Sequence, residues 1–172
     1  MKSISKRRGI TIKRTLVVYY SWSGNTRTIA KLIQEFLGCD LVELEPEKPY
    51  PTSYDATVEQ AKKEIKSGYK PPLKTKIDHI ELYDVIFVGS PNWWGTIAPP
   101  VASFLTQYDL SGKIVVPFCT HGGGGKQRVI ETIKSMCPNS KILQEFVARE
   151  GSRDLKEKIS HWLKEIEKQI QG

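Results

Sequence analysis

The sequence is poor in cysteine: Cys39, Cys119 and Cys137 are an odd number, and no two form a C-x-x-C pair. That excludes a disulfide framework and a zinc site of the usual spacing, and it fits a reducing, cytoplasmic setting. Each thiol reads as a small buried side chain. No apolar run reaches the ~18 residues that a membrane-spanning helix needs. Residues 1–15 lack the apolar segment and small-residue cleavage site of a secretory signal, so none is expected there. Two nucleotide-binding signatures are also missing. No G-x-G-x-x-G occurs, and the glycine run ending at Lys126 continues with Gln127 instead of Ser or Thr, with Thr120 where a P-loop needs its first glycine. No Ser/His/Asp or Cys/His arrangement stands out.

Acidic residues are the minority: 19 against 26 basic ones, for a formal charge of +7. Six of the basic groups, Lys2, Lys6, Arg7, Arg8, Lys13 and Arg14, fall in the first 15 residues, which hold no acidic group. The body is therefore near neutral, and no nucleic-acid partner is expected. Residues 1–14 read as a basic, disordered tail and 15–172 as one domain, long enough for a proper core.

Within that domain, strand and helix patterns alternate. Strands are expected at 15–20, 40–44, 83–89, 113–119 and 141–146, and helices at 25–37, 54–67, 100–108, 126–136 and 152–170. In the second helix Tyr54, Val58, Ala61 and Ile65 fall at helical spacing for a core face, with Thr52 and Asp55 as a capping box. Pro-rich connections flank it at 45–52 and 68–80. Strands separated by helical crossovers imply a parallel sheet covered on both faces. In such sheets ligands bind beyond the carboxyl ends of the strands, where strand order reverses. The loops at 21–26, 90–95 and 120–125 occupy those places.

The first, SWSGNT, closes a buried strand and opens a helix. Unpaired amides and a partial positive charge gather at a helix start, Gly24 admits a close approach, and Ser21, Ser23 and Thr26 add hydroxyls. Without a lysine the loop suits one monoester phosphate better than a metal-bound triphosphate. The second, SPNWWG, offers two indoles to a flat ligand and backbone groups near Asn92 and Gly95 to its edge. The third, THGGGG, lets backbone lie flat against a ligand, with His121 beside it. Each has a plainer reading alone: a capped helix, one core and one protein-contact tryptophan, a solvated histidine. Together, in this order, they describe a ligand with one phosphate and one large flat ring, which is FMN.

These motifs resemble the flavodoxin family. SWSGNT is similar to its T/S-x-T/S-G-x-T phosphate loop, and GSPNWWGTIAPPVASFL and FCTHGGGG resemble the second and third loops of a branch with paired tryptophans. The resemblance implies an α/β flavodoxin-like sandwich, with a five-stranded parallel sheet in order 2-1-3-4-5 and helices on both faces. It implies phosphate contacts from Ser21, Trp22, Ser23, Gly24, Asn25 and Thr26. Ring contacts follow from Ser90, Pro91, Asn92, Trp93, Trp94 and Gly95, and from Thr120, His121, Gly122 and Gly123. No catalytic side chain is expected, since the flavin carries the chemistry. The implied role is electron transfer, as a shuttle to a partner protein or as an NAD(P)H-dependent reductase of small acceptors. A non-redox binder of a phosphorylated metabolite is the alternative. The family's acidic residue after the second loop is missing here, where Gly95 leads to Thr96 and Ile97. A second electron should then enter at a higher potential than in strongly acidic shuttles.

Overall fold

Thr15–Tyr19 (β1) is buried along its whole length, as an apolar run must be when both faces of a sheet are covered. Asp40–Glu43 (β2) lies parallel to it on one side and Val85–Trp93 (β3) on the other. The end of β3 folds back on Thr96–Ile97 (β4), antiparallel, and β3 pairs in parallel with Ile114–His121 (β5). Lys141–Ile142 (β6) and Phe146–Arg149 (β7) share the edge beyond β5. The computed structural model describes residues 13–172 and an antiparallel pairing of Lys6–Arg7 with Ile10–Thr11. Residues 1–5, 8, 9 and 12 of the expected tail lie outside the described residues.

By position this is the expected 2-1-3-4-5 order, with the last strand in two pieces. Ile142 faces Val115 and Phe146 faces Phe118, so the edge accommodates one extra residue between the pieces. A bulge of this kind bends its strand. The edge strand therefore runs on to Arg149 instead of stopping at 146, which brings the 149–150 corner up beside the end of β5.

Alternate residues of each strand divide between two cores. Val17, Phe87, Val116 and Phe118 pack under Asn25–Leu37 (α1) and Leu155–Gln171 (α5), against Ile29, Ile33, Ile159 and Trp162. Val18, Ile86, Val88 and Val115 pack under Pro99–Gln107 (α3) and Val129–Met136 (α4), against Val101, Phe104, Ile130 and Ile133. Tyr54–Ser67 (α2) lies along α3. Its cap is Ser53, whose Oγ accepts the Ala56 amide at 3.3 Å, and not the expected Thr52. α4 begins three residues later than expected, because Gln127 takes a positive φ of 40°. No helix among the described residues is long and apolar enough to cross a membrane.

The two Pro-rich connections bind each other. Pro46 and Leu73 form an antiparallel bridge, the Glu47 amide donates to Pro72 O (2.9 Å) and the Lys74 amide to Glu45 O (2.7 Å). The returning chain is tied to α3, where Ser103 Oγ donates to Pro71 O (2.7 Å) and Tyr108 OH accepts the Ile77 amide (2.9 Å). α2 is thus an arm clipped at its base, held over the carboxyl end of the sheet.

Candidate functional site

α1 starts at a glycine in the left-handed region: Gly24 has φ 100° and no side chain caps the helix. Ser21 Oγ accepts the Gly24 amide at 3.1 Å and closes the turn, and Asn25 Nδ2 donates to Ser23 Oγ at 2.9 Å. The amides of Asn25, Thr26 and Arg27 have no acceptor among the described residues. That is the unpaired first turn an anion needs. Thr26 is buried and its hydroxyl lies 2.8 Å from that of Thr120, joining the first loop to the third. Two hydroxyls sharing one hydrogen bond keep one proton for a ligand.

A cation does stand beside this turn, but it is engaged. Arg27 forms a two-pronged pair with Glu43 (2.7 Å on both prongs), and Tyr19 OH donates to the same carboxylate at 2.6 Å. The bonds from Arg27 hold the Glu43 carboxyl below its usual range, and Glu43 raises the guanidinium in turn. Burial, then Glu43, pushes the Tyr19 phenol up. The first turn therefore offers dipoles and hydroxyls without a free formal charge.

The second loop is a hairpin more than a loop. β3 continues through Trp93, and Trp94 (φ 55°) and Gly95 (φ 83°) form the two-residue turn to β4. Positive φ at both turn residues matches the twist of a hairpin, but it is costly for a residue as bulky as tryptophan. Trp94 is held there by contacts across the cleft. Its Nε1 donates to Val58 O of α2 (3.0 Å), and Lys62 Nζ lies 5.2 Å from its ring centroid. Gly95 is favoured by its positive φ; a methyl group there would also meet Gln127 Oε1 at 2.6 Å, which that flexible side chain can relieve by moving. Trp93 turns the other way, edge-on to Tyr50 (5.0 Å) and Tyr20 (5.5 Å). Asn92 ties this hairpin to the glycine loop: its Oδ1 accepts the Gly95 amide (2.9 Å) and its Nδ2 donates to Gly125 O (2.8 Å).

The three loops open on one cleft of about 890 Å³ at the carboxyl end of the sheet, within the range of about 300–1,000 Å³ of small-molecule sites. Trp22, Ser23 and Thr26 line it from the first loop, Pro91, Asn92, Trp93, Trp94 and Gly95 from the second, and Thr120, His121, Gly122 and Gly123 from the third. Ser21, Gly24 and Asn25 do not line it: they shape the helix start, and Ser21 lines a neighbouring cleft of about 560 Å³ with Glu43 and Tyr50. Ser90 lies beneath it, fully buried, accepting the Ala98 amide (2.9 Å) and donating to Pro91 O (2.8 Å). Cys119 is also fully buried, and burial pushes its thiol up to about 12.

Three features escape sequence reasoning. The α2 stripe of Tyr54, Val58 and Ala61 has the spacing of a core face, yet with Thr57 it forms a wall of the cleft, and Tyr54 is 69% exposed. Gln127 arrives through its positive φ. Glu150 arrives through the bulge: a methyl group at Gly122 would sit 3.8 Å from its carboxylate. A carboxylate thus borders the cleft after all, supplied by the edge strand instead of the second loop.

The family model for flavodoxin matches residues 14–166. A protein of Azorhizobium caulinodans named NAD(P)H dehydrogenase (quinone) is 31% identical over 121 residues, 64% of this chain and 59% of that protein. The chain therefore spans about three fifths of that relative's length. A solved structure from Bacteroides eggerthii has a TM-score of 0.77 at 28% identity, covering 89% of this chain and 97% of that one. A flavoprotein from Lactobacillus acidophilus, solved in complex with FMN, has a TM-score of 0.69 at 27% identity, covering 88% and 99%.

Proposed function

The chain belongs to the flavodoxin family, and we propose that it holds FMN in this cleft and acts as an FMN-dependent oxidoreductase, taking electrons from NAD(P)H and passing them to a small acceptor. The observation that carries the reading is the distribution of chemistry within one cleft. Unpaired helix-start amides and paired hydroxyls lie at one end, and indoles, Pro91 and a side-chain-free glycine loop at the other. This is the polarity of a phosphorylated flat ring. The family and the FMN-bound Lactobacillus acidophilus flavoprotein support the cofactor, and the name of the Azorhizobium caulinodans relative supports the electron donor.

When bound, FMN supplies the redox chemistry through its isoalloxazine ring. The chain's own groups bind, orient and shield it. The amides of Asn25, Thr26 and Arg27 and the spare hydroxyl proton of the Thr26–Thr120 pair serve the phosphate. Glu43 keeps Arg27 neutralised, so a dianion is met by about half a positive charge of helix dipole instead of a full cation. Pro91, Trp94 and the glycine loop confine the ring, and the Trp94–Val58 bond ties the second loop to α2.

Titration of the purified protein with FMN, followed by anaerobic mixing with NADH and NADPH, tests this. One equivalent of bound flavin and its rapid bleaching by a nicotinamide donor are expected. Binding without bleaching removes the reductase reading and leaves a shuttle. A protein that ignores FMN overturns the assignment and favours a non-redox phosphometabolite site.

A further inference from the structure

β5 ends in His121, and four glycines follow. The imidazole is not idle: its Nδ1 accepts the amide N–H of Gly123 and of Gly125, each at 3.1 Å. A ring nitrogen that accepts carries no proton, so these two bonds need the tautomer with its N–H on Nε2. The glycine loop is wound around that one atom. From there the support passes to the second loop, because Gly125 O accepts from Asn92 Nδ2 and Asn92 Oδ1 accepts from Gly95 N. Gly95 O in turn accepts the Arg128 amide at 2.9 Å, just past the far end of the glycine run. Glycines bring no side chains of their own and lose more freedom on ordering than other residues. An anchor inside the loop is therefore worth more here than in an ordinary turn.

Charge around the ring is sparse and balanced. Arg149 faces His121 across the β5–β7 register, and Glu150, whose amide donates to His121 O at 2.8 Å, sets its carboxylate near Gly122. Lys126, just past the loop, is paired with Glu145. The facing loops 21–26 and 91–95 contain no titratable group.

We propose that His121 is a positioning residue for the flavin site: as the shared acceptor of two amides it shapes the glycine loop and, through Asn92, the tryptophan hairpin before the ring arrives. This rests on the FMN reading above. Removing that acceptor leaves two amide donors without a partner. Both bonds are lost, and the two loops lose their common support.

His121→Asn places an amide oxygen near the Nδ1 position; His121→Ala removes the acceptor. At pH 8, wild type and H121N bind FMN within about threefold of each other. H121A binds about tenfold or more weakly, the scale of one acceptor lost from between two amides. In the flavin-free protein, amide exchange at Gly123 and Gly125 is slow in wild type and H121N and fast in H121A. H121A binding as tightly as wild type, or H121N binding as weakly as H121A, overturns the proposal. Should no variant bind FMN, the cofactor reading falls on its own, and glycine exchange in the flavin-free protein still decides the role of His121.

Discussion

The Thr26–Thr120 pair makes two separable demands on one hydroxyl, and a substitution cycle can pull them apart. Thr26→Val keeps the shape of the side chain and removes its oxygen. Thr120 Oγ1, in a residue only 3% exposed, then loses its partner at 2.8 Å. A buried polar atom left alone costs ~1–3 kcal/mol. We take ~2 kcal/mol, which for a domain of this size lowers Tm by about 4–8 °C. The double variant T26V/T120V replaces both hydroxyls with methyl groups of the same shape. It should recover nearly all of that loss, because no orphan remains. Flavin binding should not recover. The pair's spare proton serves a charged phosphate, and such bonds contribute ~1.5–3 kcal/mol, or about tenfold to a hundredfold in Kd. Melting of the flavin-free proteins and FMN titration by fluorescence quenching read the two effects independently. The reasoning fails if the two stability losses simply add, or if the double variant binds FMN like wild type.

Three further outcomes follow from the same geometry. Gly89→Ala would set a methyl group 2.2 Å from two ring carbons of the fully buried Phe118. That overpacking should cost about 3 kcal/mol, or roughly 6–12 °C in Tm, with much of it relieved in G89A/F118L; a Tm within 2 °C of wild type would contradict it. Ser53→Ala should remove the α2 cap at a cost of ~1 kcal/mol, whereas Thr52→Ala should leave thermal melting unchanged; equal effects would restore Thr52 as the cap. Glu43 has its carboxyl lowered chiefly by the bonds from Arg27. Its contribution to stability is present above the unfolded carboxylate range near ~4.3 and is lost as pH falls through the lower folded value. The pair is partly exposed, so Glu43→Gln should cost only ~0.5–1 kcal/mol at pH 7. The difference should shrink toward pH 3, and a gap that stays constant over that interval refutes the linkage.

Local rules carried a long way in this chain. The continuous apolar runs at β1, β3 and β5 announce strands buried on both faces, and the helices between them leave a parallel sheet as the economical solution. SWSGNT places a glycine and hydroxyls at a helix start, which is chemistry that depends only on near neighbours. Both were legible because a strand's burial and a helix's unpaired first turn are written within about ten residues. What the tertiary structure alone decided is how distant pieces meet. The stripe Tyr54–Val58–Ala61 has the same spacing whether it faces a core or a cleft, and the clip between Pro46 and Leu73 made it a wall. Sequence spacing cannot show that Arg27 is neutralised by Glu43, because that pair forms across β1–β2 pairing. Nor can it show that one extra edge residue carries Glu150 to the glycine loop. Periodicity fixes which face of an element is apolar; what covers that face depends on long-range packing, which no local pattern encodes.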